Sequence, residues 1–231
     1  LIGAEPILAT RVLAIANSIA YNPGGRTISE VKSAVSRLGF ATLRALAAAV
    51  IVRQMKDVSL AENHRALAAK LWEHTASVAA LARVIAHRVT RHNPDAAFLA
   101  GIVHEIGGFY LIARADDFPG LLTSGLELWH DDGEAAVGRA VLRALQAPAP
   151  ILEAMETLWT GFLAMPPTSL GDTLLLADQL SPIESPIDAL AGMSRKGMSV
   201  ELELLIDEDT LSGILAESAE EVASLCAALK S

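Results

Sequence analysis

The sequence is poor in four things, and each scarcity excludes something. Cys226 is its single cysteine, so neither an internal disulfide nor a multi-thiolate zinc site can form. Such cysteine use fits a reducing, cytoplasmic setting. Aromatic residues make up only 4% of 231 residues, while alanine and leucine dominate a hydrophobic share of 52%. That composition suits packed helices that touch through small side chains. Basic residues are in deficit, 18 Lys and Arg against 27 Asp and Glu, for a net charge of −9. This argues against general nucleic-acid binding and against an anionic membrane surface, both of which need clustered cations. Long uninterrupted apolar runs are also lacking to the eye: the stretch Ala45 to Val52 is flanked by Arg44 and Arg53, and no bilayer-spanning segment or signal peptide is expected. The chain begins at Leu1 in mid-pattern, which raises the expectation of a domain or further helices before it.

What is present reads as all-α. Pro6 opens a helix that the apolar pattern Ile7, Leu8, Val12, Leu13, Ile15, Ala16 carries to about Ala20. Tyr21 to Gly25 is a loop by composition. Ser29 is placed to cap a second helix that Gly39 ends in a left-handed conformation, and Phe40 to Met55 forms a third. Ala61 to Val89 is long and amphipathic. Prolines then divide the chain into helices from Pro94, over Glu134 to Leu145, Ile151 to Leu163 and Thr168 to Leu180. Val200 to Leu204 alternates like a short strand, and Asp209 to Leu229 resumes a helical period. The expected organisation is an N-terminal helical lobe over 1–60, a helical core over 61–182, and a mostly helical extension over 183–231. Cys226 reads as a small core residue.

Four polar residues stand inside apolar, helix-periodic runs. His74 shares its face with Leu71, Val78, Leu81 and Ile85. Alone it is most simply a satisfied core histidine. His104-Glu105 adjoins Gly101, Gly107 and Gly108, each costing a helix interior about 1 kcal/mol unless close approach or a helix end requires it. The plain alternative is a helix-end histidine beside a solvated carboxylate. Asp178 follows Leu174-Leu175-Leu176-Ala177, where a charge must be solvated, hydrogen-bonded or metal-bound. His74, His104, Glu105 and Asp178 are therefore the candidate metal ligands, for Mn, Fe, Zn or Mg. His64, His87, His92 and His130 read as surface or helix-end residues, and Arg37 and Arg44 are assigned to the N-terminal lobe rather than to a phosphate site.

The order His74, His104-Glu105, Asp178 resembles the His, His-Asp, Asp pattern of the HD superfamily. The segments Glu5 to Leu8, Val12 to Ser18, Ile28-Ser29, Ala34 to Gly39, Leu71 to His74 and Ala97 to Gly107 resemble the HD-related output domain, HDOD, over most of residues 1–181. Glu127, Val137-Gly138 and Ala177-Asp178 continue the likeness. The resemblance implies an all-α, HD-superfamily-like bacterial signalling module with an N-terminal helical lobe, often set beside receiver, kinase or cyclic-nucleotide domains and mostly without demonstrated activity. It also implies that the family's first helices lie upstream of Leu1. This chain departs from the pattern. Glu105 replaces the dyad aspartate, lengthening it by one bond of about 1.5 Å. Glu134, Leu158 and Trp159 stand where the family often has histidines. A two-ion clamp, with ions about 3.5–4 Å apart, therefore lacks ligands.

Three readings follow. The first is a non-catalytic regulatory or response-regulator-output module that binds a signalling protein or an adjacent regulatory domain through the N-terminal lobe or the groove between the lobes, with no cofactor needed. The second is a single-metal phosphohydrolase acting on a nucleotide or phosphate ester. The third is a sensor that binds a nucleotide without turnover. The missing ligands favour the first.

Overall fold

The computed structural model describes residues 6–56, 61–118, 120–123, 126, 129, 133–164, 166–190, 213, 216 and 219–230. Among them every regular element is helical. Helix α1 spans Pro6–Ala16 and α2 spans Val31–Lys56. Then come α3 (Glu62–Ile85), α4 (Pro94–Val103), α5 (Ile106–Arg114), α6 (Glu134–Ala144), α7 (Ala149–Thr160), α8 (Leu170–Gln179), α9 (Pro186–Leu190) and α10 (Ala219–Lys230). The alternating segment at 200–204 lies outside the described residues.

Helix α1 ends earlier than its apolar pattern suggests, and Asn17 is the reason. Its amide donates to the Leu13 and Ile28 carbonyls, while its oxygen accepts the Ile28 N–H at 2.8 Å. The side chain thus replaces helix continuation with a clasp onto the following loop. Helix α2 breaks at Gly39, whose φ of 72° and ψ of 171° lie in a region open to glycine. Ser29 stands one residue outside the turn, since Glu30 supplies the carbonyl that accepts the Ala34 N–H.

Helix α3 is the central element. Its face from Ala68 to Ile85 is buried, it packs against α4, α8 and α10, and it runs on through a π-helical turn at Ala86–Thr90. The closest approach is to α4: a Cβ on Gly101 would lie 2.4 Å from the Ala79 Cα, so only glycine lets these helices meet there. By length and hydropathy the stretch Pro94–Arg114 could cross a bilayer, contrary to the expectation from sequence. It is instead a core segment, with 83% of its most apolar window buried and a break at His104-Glu105.

The loop after α1, helices α3 and α4, and α10 are tied together by one polar cluster. The Tyr21 hydroxyl donates to Asp95 at 2.7 Å, and the Arg83 guanidinium lies 4.2 Å from the Tyr21 ring centre. Arg83 also donates to Glu221 at 2.9 Å. Burial, only partly offset by the Arg83 charge, pushes the Tyr21 hydroxyl up to about 12, so it stays a donor. Cys226 is half-buried, and its thiol points to the Ala76 carbonyl at 3.5 Å.

Candidate metal centre

Each candidate ligand is delivered by a different local device. His74 lies on the buried face of α3. His104 and Glu105 occupy the break between α4 and α5, where Glu105 leaves helical geometry at φ −95° and ψ 19°. In an unbroken helix adjacent side chains diverge by about 100°. The break lets both reach His74, with His104 Nε2 at 3.1 Å and Glu105 Oε1 at 3.6 Å from its Nε2. Asp178 sits in the last turn of α8, its Oδ1 3.3 Å from His74 Nε2. All four are nearly dry, at 2% exposure for His74, 4% for His104, 7% for Glu105 and 5% for Asp178. The solvated-glutamate alternative is thereby overturned.

Gly108 makes room for this arrangement. A Cβ there would lie 2.8 Å from Glu105 Oε2 and 3.2 Å from Leu71. Gly107 instead receives Trp129, and Gly138 receives the Trp159 ring. Leu158 is buried in the core, and the half-buried Trp159 ring packs on Gly138 with the Arg139 guanidinium 5.3 Å from its centre.

The ring nitrogens define what the cluster can bind. His74 Nδ1 lies 2.6 Å from the Ile183 carbonyl, and His104 Nδ1 lies 2.7 Å from the Gly101 carbonyl. A carbonyl only accepts, so both rings carry their proton on Nδ1. Two bare Nε2 lone pairs then face each other at 3.1 Å, beside a carboxylate. That arrangement is repulsive unless a shared proton or a cation sits among them. Among the described residues, His74, His104 and Asp178 form the one group whose ligand atoms all lie within 4.8 Å of one another. Two nitrogens each about 2.1 Å from one ion stand roughly 3.0–3.4 Å apart, so the observed spacing fits a single divalent cation. Glu105 lies outside that tightest group and borders it through His74. A bound ion would supply Lewis acidity and a more acidic water there.

Sequence reasoning missed two contributors. The Ile183 carbonyl is invisible to side-chain motifs, although Pro182 marks a turn there. Asp188 on α9 is 7% exposed. Burial, reinforced by the Glu105 charge and partly offset by His74, pushes its carboxyl up to about 7. An aspartate between Ile187 and Ala189 was the available signal. Of the other histidines, His64 lies in the first turn of α3, a helix-end position as expected, and its Nδ1 pairs with Asp116 Oδ1 at 2.5 Å. His87 lies exposed in the π-helical turn and His92 follows it, as their positions suggested. His130 lies outside the described residues.

Comparison with known proteins agrees with this fold. The family model for the HDOD domain matches residues 1–159. The crystal structure of a candidate metal-dependent phosphohydrolase from Shewanella amazonensis SB2B aligns with a TM-score of 0.72 at 22% identity, covering 99% of this chain and 82% of that one. At that identity the likeness speaks for a common fold. No curated protein matches significantly in sequence. With an all-helical fold and a family match over residues 1–159, the chain belongs to the HDOD domain family.

Proposed function

We propose that this chain is a non-catalytic regulatory module of a bacterial, cytoplasmic signalling protein, in which a single divalent ion at His74, His104 and Asp178 serves the fold rather than turnover. The burial of all four candidate ligands carries this reading, since none exceeds 7% exposure. A phosphate ester could not touch an ion held there without displacing the side chains around it. The sequence resemblance supports the same reading, because Leu158 and Trp159 stand where the family often has histidines and neither can ligate a metal. The module acts by binding a signalling protein or an adjacent regulatory domain. Apolar surface suited to such contacts exists away from the ion site: Tyr110 and Phe118, 40% and 56% exposed, edge an open groove of about 430 Å³ that Leu111 and Trp129 also line.

A second reading, a single-metal phosphohydrolase acting on a nucleotide or phosphate ester, draws on the convergence of the same ligands. Two measurements on the purified full chain separate the two. Elemental analysis is expected to find about one Mn, Fe or Zn per chain, absent from His104→Ala. Phosphate release from an activated diester and from common nucleotides, across a series of divalent metals, is expected to stay at background. Turnover well above background, abolished by His74→Ala, would replace the regulatory reading with the hydrolytic one.

A further inference from the structure

Helix α3 grips the turn after α8 at two points. One is His74 Nδ1 on the Ile183 carbonyl at 2.6 Å. The other is Ser77, one helical turn further along the same face, whose Oγ lies 3.0 Å from Ser181 Oγ. Ser181 is the hub of this turn. Its Oγ lies 2.9 Å from the Ile183 carbonyl, accepts the Ile183 N–H at 3.3 Å, and its own N–H donates to the Asp178 carbonyl at 3.2 Å. A hydroxyl has one proton. When Ser181 gives that proton to Ile183, Ser77 is left to donate to Ser181, which closes a chain from α3 through the turn to His74. Ser77 is 3% exposed, so its hydroxyl has little water to turn to.

We propose that Ser181, backed by Ser77, is a positioning residue of the ion site. It fixes the Ile183 carbonyl against His74 Nδ1, which keeps the His74 proton on Nδ1 and leaves Nε2 free to face His104 and Asp178. The Ser181 backbone N–H also closes the helix end that carries Asp178, a bond any residue but proline would supply, so the part of the hydroxyl itself is the placement of His74. The expected consequence for ion binding rests on the single-ion reading above; the consequence for the His74 tautomer does not. Partners that orient a ligating imidazole typically change metal affinity 10–100-fold.

The test uses the full chain and its Ser181→Ala, Ser181→Thr and Ser77→Ala variants, each checked for wild-type helix content. Competition with a chromogenic chelator measures Zn²⁺ and Mn²⁺ affinity. Nitrogen-15 imidazole shifts of the metal-free protein, with the His74 signals identified by their loss in His74→Gln, measure the tautomer. Ser181→Ala is expected to weaken ion binding about 10-fold or more and to raise the Nε2–H population of His74. Ser77→Ala should shift both in the same direction by less, and Ser181→Thr should restore both. Wild-type tautomer in Ser181→Ala would overturn the proposal, as would the alanine and threonine variants behaving alike. If the wild-type chain binds neither ion, the single-ion reading fails, and the tautomer result still decides the role of Ser181.

Discussion

The ion site has two walls of different construction. One comprises α3, α4 and the start of α5 and carries His74, His104 and Glu105. Close helix contact holds it, with Gly101 against the Ala79 backbone. The other runs from Asp178 to Asp188: a helix end, a turn and the short helix α9. Individual hydrogen bonds hold it, from Ser181, Ser77 and the Ile183 carbonyl. The family match ends at 159, so it covers the first wall and leaves out the second. The contrast teaches that ligand identity is set largely by rigid packing, whereas ligand orientation and the surrounding charge are set by a few polar contacts on the opposite side.

The largest expected effect comes from breaking the packed wall. Gly101→Ala would drive a methyl to 2.4 Å from the Ala79 Cα, and backbone cannot move aside as a flexible side chain can. Overpacking of this kind should cost about 3 kcal/mol, and thermal unfolding should show a fall of roughly 10 °C. An unchanged melting temperature would show that the α3–α4 contact is softer than drawn.

On the hydrogen-bonded wall the measurable handle is Asp188. Its folded carboxyl titrates near 7, well above its ordinary value. Between the two values the folded state holds the proton more tightly than the unfolded state does. Stability therefore falls as pH rises from about 4 to 7, and the loss is complete above that window. In chelator-treated protein, Asp188→Asn should match wild type near pH 4 and exceed it at pH 8 by on the order of 2–3 kcal/mol. Denaturant melts at the two pH values check this; parallel curves for both proteins would remove Asp188 from the charge balance of the site.

The smallest effect on stability, and the sharpest on the site, belongs to Gly108→Ala. The added Cβ meets the flexible end of Glu105 at 2.8 Å, which can swing away. A helix-propensity gain of about 1 kcal/mol opposes the crowding, so the melting temperature should move by only about 2 °C. Displacing the Glu105 carboxylate from His74 should nonetheless weaken ion affinity several-fold in a chelator competition. Undiminished affinity would place Glu105 outside the ion's environment.

Much of this is legible in the amino-acid sequence alone. Pro94, Pro150 and Gly39 punctuate the helices where the sequence suggests, and the buried polar positions His74, His104 and Asp178 stood out against apolar neighbours. The end of α1 was not legible, because Asn17 acts through a bond to Ile28 that periodicity cannot register. Nor was the bilayer-competent hydropathy of Pro94–Arg114 recognised, since two polar residues at its centre mask it.

The amino-acid order by itself determined that helices form, which faces of them are apolar, and that a few imidazoles and carboxylates must be buried with partners, because helix period and the cost of buried charge are local properties. Only the tertiary structure decided that His74, His104 and Asp178 meet, that each imidazole proton is held by a backbone carbonyl, and that Asp188, beyond the family match, is buried within reach of the Glu105 and His74 charges. Convergence depends on how rigid helices cross, and a carbonyl carries no mark in the sequence.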